Sequence, residues 1–313
     1  MDFFLSDEQQ LMQETCRDFA QKAIKPIAAK LDEDEHFPEE LLPQLVEMGL
    51  MGIPLSDEYG GTGMGNLEYA IAVEEISKVC ASTAVTISAH TSLCCWPIDE
   101  YGTQEQKQKY LMSLASGEKL GAFGLTEPAA GSDAAMQKSY AEDAGDHYLL
   151  NGSKVFITNG NYADVYVVFA MTQKGIGTKG MSAFILEEGM QGFRCGTKEK
   201  KMGIRGSATY ELIFEDCVVP KENLLGKEGQ GFKIAMSTLD GGRIGIAAQA
   251  LGIAQGAIDE TITYVQQREQ FGKRISQFQN TQFELAAMQT KVNAARLLVY
   301  EAASAKDAHI PYG

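Results

Sequence analysis

The spacing of apolar residues changes period twice along this chain, and those two changes limit its possible folds more than any other feature. Up to about residue 116 the period is helical. Ser6-Asp7-Glu8-Gln9 reads as a capping box, and Met12, Cys16, Phe19, Ala20, Ile24 and Ile27 follow at three- and four-residue spacing. The spacing predicts a helix that ends or kinks near Pro26, with further helices over Ile71 to Cys80 and Glu105 to Ala115. From about residue 117 alternation takes over. Tyr148-Leu149-Leu150 and Lys154 to Ile157 read as the arms of a hairpin about an Asn151-Gly152 turn, and Val165 to Ala170, Ala183 to Leu186 and Glu211 to Phe214 as further strands. Beyond Gly229-Gln230-Gly231 the helical period returns in two long alanine- and glutamine-rich segments, 231 to 268 and 279 to 307. Pattern alone therefore gives an α+β chain in three stretches, 1–116, 117–226 and 227–313. A chain of 313 residues also exceeds what one core usually supports, so two or three packed regions are expected.

Lys and Arg number 27 against 42 Asp and Glu, and the formal charge of −15 opposes non-specific nucleic-acid binding. A polyanionic ligand would need a local basic pocket, for which Lys198-Glu199-Lys200-Lys201 is a weak candidate beside the plainer reading of a solvated turn. Cys16, Cys80, Cys94, Cys95, Cys195 and Cys217 lack CxxC spacing and read as reduced, mostly core thiols. His36, His90, His147 and His309 show no metal-ligand spacing, so no metal is expected. No apolar run approaches the ~20 residues of a membrane helix, and Met1-Asp2-Phe3-Phe4-Leu5 carries no transit or secretory pattern. A bacterial cytoplasm is the expected location, or the mitochondrial matrix for a processed protein. The glycine-rich Leu55 to Gly65 reads as an exposed loop; without a preceding strand it is no dinucleotide fingerprint.

Two segments carry chemistry: Phe123-Gly124-Leu125-Thr126-Glu127-Pro128-Ala129-Ala130-Gly131-Ser132-Asp133 and Val155-Phe156-Ile157-Thr158-Asn159-Gly160. Each joins an aromatic ring, a hydroxyl and glycine-opened backbone. Phe123 and Phe156 can wall a flat heterocycle, Thr126 and Thr158 can hydrogen-bond its polar edge, and the turn at Gly131-Ser132 can offer N–H groups to anionic oxygens. Either segment by itself reads equally well as a hairpin corner.

Together they resemble the signature of the acyl-CoA dehydrogenase family. The likeness continues through Lys201-Met202-Gly203-Ile204-Arg205, Asn223-Leu224-Leu225-Gly226, Leu239-Asp240-Gly241-Gly242-Arg243 and Arg268-Glu269-Gln270-Phe271-Gly272-Lys273, and the run Gly241 to Gly245 is most like the short-chain, butyryl-CoA branch. The resemblance implies N-terminal helices, a central antiparallel β-barrel and a C-terminal helical bundle with FAD between them. It implies α,β-dehydrogenation of short-chain acyl-CoA in fatty-acid or amino-acid degradation, with electrons passed to an electron-transfer flavoprotein, in a homotetramer arranged as a dimer of dimers. Branched short-chain substrates are the alternative within the same chemistry.

Residue roles follow from the same resemblance. Phe123, Leu125, Thr126, Phe156, Ile157 and Thr158 are expected to line the isoalloxazine, with Ser132 reaching both the flavin phosphate and coenzyme A. Asp240, Gly241, Gly242 and Arg243 are expected on the coenzyme side. Arg268, Gln270, Phe271 and Gln279 are expected to meet the flavin of a neighbouring subunit. Without the resemblance, Arg268 reads as a surface charge, Asp240 as a helix salt bridge and Gln279 as a solvated position. Ile87, His90, Thr91 and Leu239 are candidates for the floor of the acyl pocket, although His90 also reads as a satisfied core histidine.

The general base is the exception. The family's short-chain branch places a glutamate in a Tyr-Glu-Gly-Thr motif near the C-terminus, and these residues contain no such motif; a second branch places it where this chain has Gly242. The chain as written therefore lacks its expected base, which would lie beyond Gly313. It reads as a C-terminally truncated enzyme, and the 313-residue polypeptide is expected to be inactive and poorly saturated with flavin, with ligand binding alone as the reading if the truncation is natural.

Overall fold

The computed structural model describes residues 4–312. The chain gathers into two compact units, one of Met1–Ala29, Gly65–Ala84 and Ile244–Gly313, the other of Lys30–Met64 and Val85–Arg243.

In the first unit α1 (Asp7–Phe19) opens on the expected capping box, Ser6 Oγ accepting from the Gln9 amide at 3.2 Å and Gln9 Oε1 from the Ser6 amide at 2.9 Å. The helix does not end at Pro26. A π turn, Ala20–Ile24, leads directly into α2 (Lys25–Glu33), the wider turn easing the clash a proline ring makes with the carbonyl one turn back. Three short elements of the second unit follow, with α3 (Leu42–Glu47) the longest. Back in the first unit, α4 (Asn66–Ser77) begins earlier than the apolar spacing indicated, and every residue from Tyr69 to Ser77 is buried. Its N-terminus is met by the Asp307 carboxylate, which accepts from the amides of Asn66 at 2.7 Å and Leu67 at 3.1 Å, where the helix dipole favours an anion.

Helix α5 (Ala81–Ser88) runs through a π segment, Ala89–Cys95, into α6 (Trp96–Tyr101). The short α7 (Gln104–Gln106), another π turn and α8 (Met112–Ala115) complete the helical part of the second unit. The strands follow: β1 (Gly121–Gly124), β2 (Tyr140–Asp143), β3 (His147–Thr158), β4 (Val165–Met171), β5 (Met181–Glu187), β6 (Phe193–Lys198), β7 (Thr209–Pro220) and β8 (Leu224–Leu225). They form one sheet in the order β6-β7-β3-β2-β4-β5-β8, with β1 beside β4. The sheet is mixed, not purely antiparallel, because β1 runs parallel to β4 from Gly121↔Val165 to Gly124↔Val168. Strand β4 is buried on both faces: Val165, Val167, Phe169 and Met171 enter one apolar cluster and Tyr166, Val168 and Ala170 another.

The expected hairpin at Asn151-Gly152 is corrected by the structure. Residues 147–158 form one continuous strand, bulged where the register against β7 slips between Leu150 and Gly152. The asparagine there closes a cross-strand pair, with Asn151 Nδ2 donating to Asp216 Oδ1 at 2.9 Å and the Asp216 amide to Asn151 Oδ1 at 2.8 Å. The Leu55 to Gly65 stretch is mostly exposed, as expected, but is anchored by two side chains. Leu55 and Tyr59 are buried, and a Cβ at Gly61 would lie 2.2 Å from the Leu55 carbonyl, so glycine there permits close backbone packing. Helix α9 (Gly231–Gln267) runs from the second unit into the first, followed by the small hairpin β9 (Glu269–Gln270) and β10 (Lys273–Arg274) and by α10 (Gln279–Asp307). Both long helices match the two alanine- and glutamine-rich segments. No helix among the described residues is long and apolar enough to cross a membrane.

Candidate active site

A cavity of about 450 Å³ opens in the second unit where the two chemistry-bearing segments meet the start of α9. Strand β3 supplies one wall. Its register against β7 slips again between Lys154 and Ile157, and Phe156, inside that slip, adopts a left-handed φ of 62° with its side chain exposed. A bulge that re-aims a side chain is a common device at functional sites. Here it turns Phe156 outwards while Ile157 stays buried, and Thr158 joins them in the lining. The opposite wall is Phe123, set edge-on to the buried Phe169 with ring centroids 5.1 Å apart, followed by Leu125 and Thr126. Gly131 and Ser132 lie on the rim, and α9 contributes Met236, Leu239 and Arg243. Among the described residues neither the Thr126 nor the Thr158 hydroxyl has a protein partner, so both remain free for a ligand.

Beneath the lining is a buried polar knot that the sequence reading missed. Lys154 is fully buried, its Nζ donating to Glu127 Oε1 at 2.7 Å, Gln137 Oε1 at 3.0 Å and the Leu125 carbonyl at 3.2 Å. Burial pulls the Lys154 ammonium down to about 8, against the opposing pull of Glu127, so it keeps its charge at neutral pH. Burial also presses the Glu127 carboxyl upwards, but the Lys154 charge and the Lys138 and Ser139 donors outweigh it and hold that carboxyl below its ordinary value. A signal was present in the sequence: Lys154 has the parity of the inward-facing Tyr148 and Leu150 on the same strand, where a lysine is out of place without a partner.

The other expected residues are placed as follows. Arg243 lines the cavity and pairs with Asp240 at 2.5 Å, so Asp240 forms the helix salt bridge. Gly241 and Gly242 are buried and outside the lining; a Cβ at Gly242 would come within 2.6 Å of Leu93 Cδ2, so this position holds no base and little room for one. Of the proposed pocket floor, Leu239 is in the lining, while Ile87, His90 and Thr91 are buried away from it. His90 is a satisfied core histidine, accepting at Nδ1 from the Gly121 amide at 2.9 Å and donating from Nε2 to the Leu114 carbonyl at 3.0 Å, and burial lowers its pKa to about 4. Ala89 and Leu93, four residues apart, line the cavity in their place. Arg268, Gln270, Phe271 and Gln279 belong to the first unit, are exposed, and are absent from this lining.

The lysine run fares differently from the expectation of a basic pocket. Lys198 Nζ donates to the Glu35 carbonyl, and Lys201 Nζ to the carbonyls of Ile204 and Ser207, so both are consumed by backbone. A larger cavity of about 600 Å³ lies in the first unit, but its cations Arg17, Lys25, Lys78 and Arg296 are already paired with Glu74, Glu75 and Glu260. These cations thus leave no unpaired positive charge for an anionic ligand.

Comparison with known proteins shows the family of the chain. The family models for the N-terminal, middle and C-terminal domains of acyl-CoA dehydrogenase match residues 6–118, 122–217 and 229–312. The chain belongs to the acyl-CoA dehydrogenase family. A short-chain-specific acyl-CoA dehydrogenase of Clostridium acetobutylicum is 57% identical over 312 residues, covering 100% of this chain and 82% of that protein. The butyryl-CoA dehydrogenase structure from Megasphaera elsdenii superposes with a TM-score of 0.97 at 51% identity, covering 100% of this chain and 82% of that one. A structure described as the electron transferring flavoprotein of Acidaminococcus fermentans, towards a mechanism of flavin-based electron bifurcation, gives a TM-score of 0.98 at 56% identity with the same coverage.

FAD is accordingly the cofactor, and oxidation at a CH–CH bond of acyl-CoA the reaction. The lining fits that cofactor: two aromatic walls, one of them an exposed ring held outwards by a bulge, enclose a slot edged by two uncommitted hydroxyls.

Proposed function

We propose that this chain dehydrogenates short straight-chain acyl-CoA thioesters between the α and β carbons and passes the electrons to an electron-transfer flavoprotein. The observation that carries the reading is the convergence of Phe123, Thr126, Phe156 and Thr158 on one cavity with Leu239 and Arg243 of α9. When bound, FAD supplies the two-electron acceptor for the β-hydrogen. Phe123 and Phe156 wall the ring, Thr126 and Thr158 fix its polar edge, and Ser132 on the rim serves phosphate oxygens. Arg243 carries the positive charge among the described lining residues and suits the anionic end of coenzyme A. Leu93, Met236 and Leu239 floor the acyl tail and keep water from the reacting carbons.

Proton abstraction from the α-carbon needs a carboxylate, and none is present among the described lining residues. Glu127 is close by in the chain but is held in its ion pair with Lys154. The base is therefore proposed to come from outside this lining, as the family resemblance implies. Arg268, Gln270, Phe271 and Gln279 are proposed to meet the flavin of a neighbouring copy in a homotetramer built as a dimer of dimers.

Reconstituted with excess FAD, the protein is expected to show anaerobic bleaching of the flavin band with butyryl-CoA, and weaker binding of octanoyl-CoA and isovaleryl-CoA. Tighter binding of the octanoyl or isovaleryl ester would overturn the substrate length or shape. Absence of bleaching with every ester would overturn the dehydrogenase reading. That no carboxylate is among the described lining residues also favours a second reading, a chain that binds acyl-CoA and flavin without turnover, and bleaching would exclude it.

A further inference from the structure

Lys154 sits where the two segments that line the cavity meet. It lies on β3 two residues before Phe156, and its three acceptors all belong to the stretch 125–137 that carries the other half of the lining. Gln137 Nε2 donates to the same Leu125 carbonyl at 2.9 Å. Glu127 also accepts from the amides of Lys138 at Oε2 (2.7 Å) and Ser139 at Oε1 (3.1 Å), and the Val155 amide donates to the Thr126 carbonyl at 2.9 Å. The loop is thus tied to β3 at its start and at its end.

Stability is a weak reason for an ion pair in this place, because desolvating two charges costs about as much as their attraction returns and a packed apolar pair serves as well. The pair does something an apolar pair cannot: it fixes the direction of one peptide. Two donors draw the Leu125 carbonyl inwards. In a planar trans peptide the Thr126 N–H then points the opposite way, and among the described residues it has no protein acceptor.

We propose that Lys154, with Glu127 and Gln137, is a positioning residue for the flavin: it orients the Leu125–Thr126 peptide and so presents the Thr126 N–H and hydroxyl to the polar edge of the ring. The role rests on the FAD reading of the cavity. Lys154 touches neither cofactor nor substrate; it acts through the loop it holds.

The test compares wild type with the double variant Lys154→Met/Glu127→Gln, which removes both charges at similar volume, and with Gln137→Leu, which removes one neutral tie. Readouts are FAD affinity by titration, the visible flavin spectrum, the midpoint potential of the bound flavin, and amide exchange over residues 125–139. The double variant is expected to bind FAD roughly tenfold or more weakly, since sub-ångström misplacement of a positioning group costs at least that much. Its flavin band and potential shift, and the loop amides exchange faster even without FAD. Gln137→Leu moves the same readouts in the same direction by less. A lower melting temperature with flavin affinity, spectrum and potential unchanged in both variants would show a purely structural pair and overturn the proposal. Failure of the wild type itself to take up FAD would overturn the functional reading beneath it, a separable outcome.

Discussion

His90 shows how a single buried side chain writes itself into the pH dependence of the whole fold. Both ring nitrogens are used, Nδ1 as acceptor and Nε2 as donor, with Cys95 Sγ 3.3 Å from Nε2, so the neutral ring is the form that fits. Burial lowers its folded pKa to about 4 from an ordinary 6.5, so between those values the unfolded chain binds the extra proton. The stability from this group is complete above pH 6.5 and is lost as pH falls towards 4, in all about 3 kcal/mol. Urea unfolding at several pH values checks this. His90→Gln is expected to be less stable at neutral pH, because the Gly121 amide loses its acceptor, and to lose much of the decline on acidification. An unchanged acid slope in the variant would assign the decline to other groups. At this scale the sequence was partly readable. His90 could be recognised as core, and the aromatics and threonines of the two segments, grouped by residue type and short spacing, do line one cavity. The partners of Lys154 were not readable, since Glu127 lies 27 residues away and only the fold brings the pair together.

Helices α4 and α9 meet at a crossing built from missing side chains. A Cβ at Gly252 would lie 2.3 Å from the Glu74 carbonyl and one at Gly256 2.2 Å from the Lys78 carbonyl, and both obstacles are backbone that cannot step aside. The close approach sets the buried Glu74 and Glu75 carboxylates among their partners: Arg296 and the Tyr300 hydroxyl on Glu74, Arg17 and Lys78 on Glu75. Breaking such pairs by loss of one partner strands a buried charge. Gly256→Ala is therefore expected to destabilise by roughly 2 kcal/mol or more, although alanine is the better helix former by about 1 kcal/mol at an exposed site. Thermal melts of Gly256→Ala beside an alanine substitution at the exposed Gly203, where a Cβ meets nothing, provide the comparison. Equal melting temperatures would mean that the helices can separate without cost. Element existence was legible throughout this region because long periodic segments announce themselves. Local geometry was not. Asn-Gly looks like a turn in isolation, yet pairing with Asp216 keeps Asn151 in the middle of a strand. That Ala89 and Leu93 reach the cavity where Ile87, His90 and Thr91 do not depends on how the helix is turned, which the apolar spacing did not encode.

For the molecule as a whole, a formal charge of −15 makes like copies repel, so the proposed assembly has to rest on apolar contacts and on local charge pairing. Phe271 is the side chain best placed to provide one. It is 93% exposed at the tip of the β9–β10 hairpin, in a left-handed conformation with φ 54° and followed by Gly272 at φ 69°. Its contact with another ring in the chain is edge-on to Phe278 at a centroid distance of 6.5 Å, so the fold gains little from it. A bulky aromatic held in solvent by strained backbone is better explained by a surface it meets than by the unit that carries it. Phe271→Ala is accordingly expected to leave the stability of the chain within about 0.5 kcal/mol, while weakening self-association and FAD retention together, since the proposed site is shared between copies. Sedimentation at several protein concentrations, with flavin content measured on each sample, separates the possibilities. Parallel loss of assembly and flavin fits a shared site. Loss of assembly with full flavin content would place the residue at an interface that does not touch the cofactor, and no change in either would remove it from both roles.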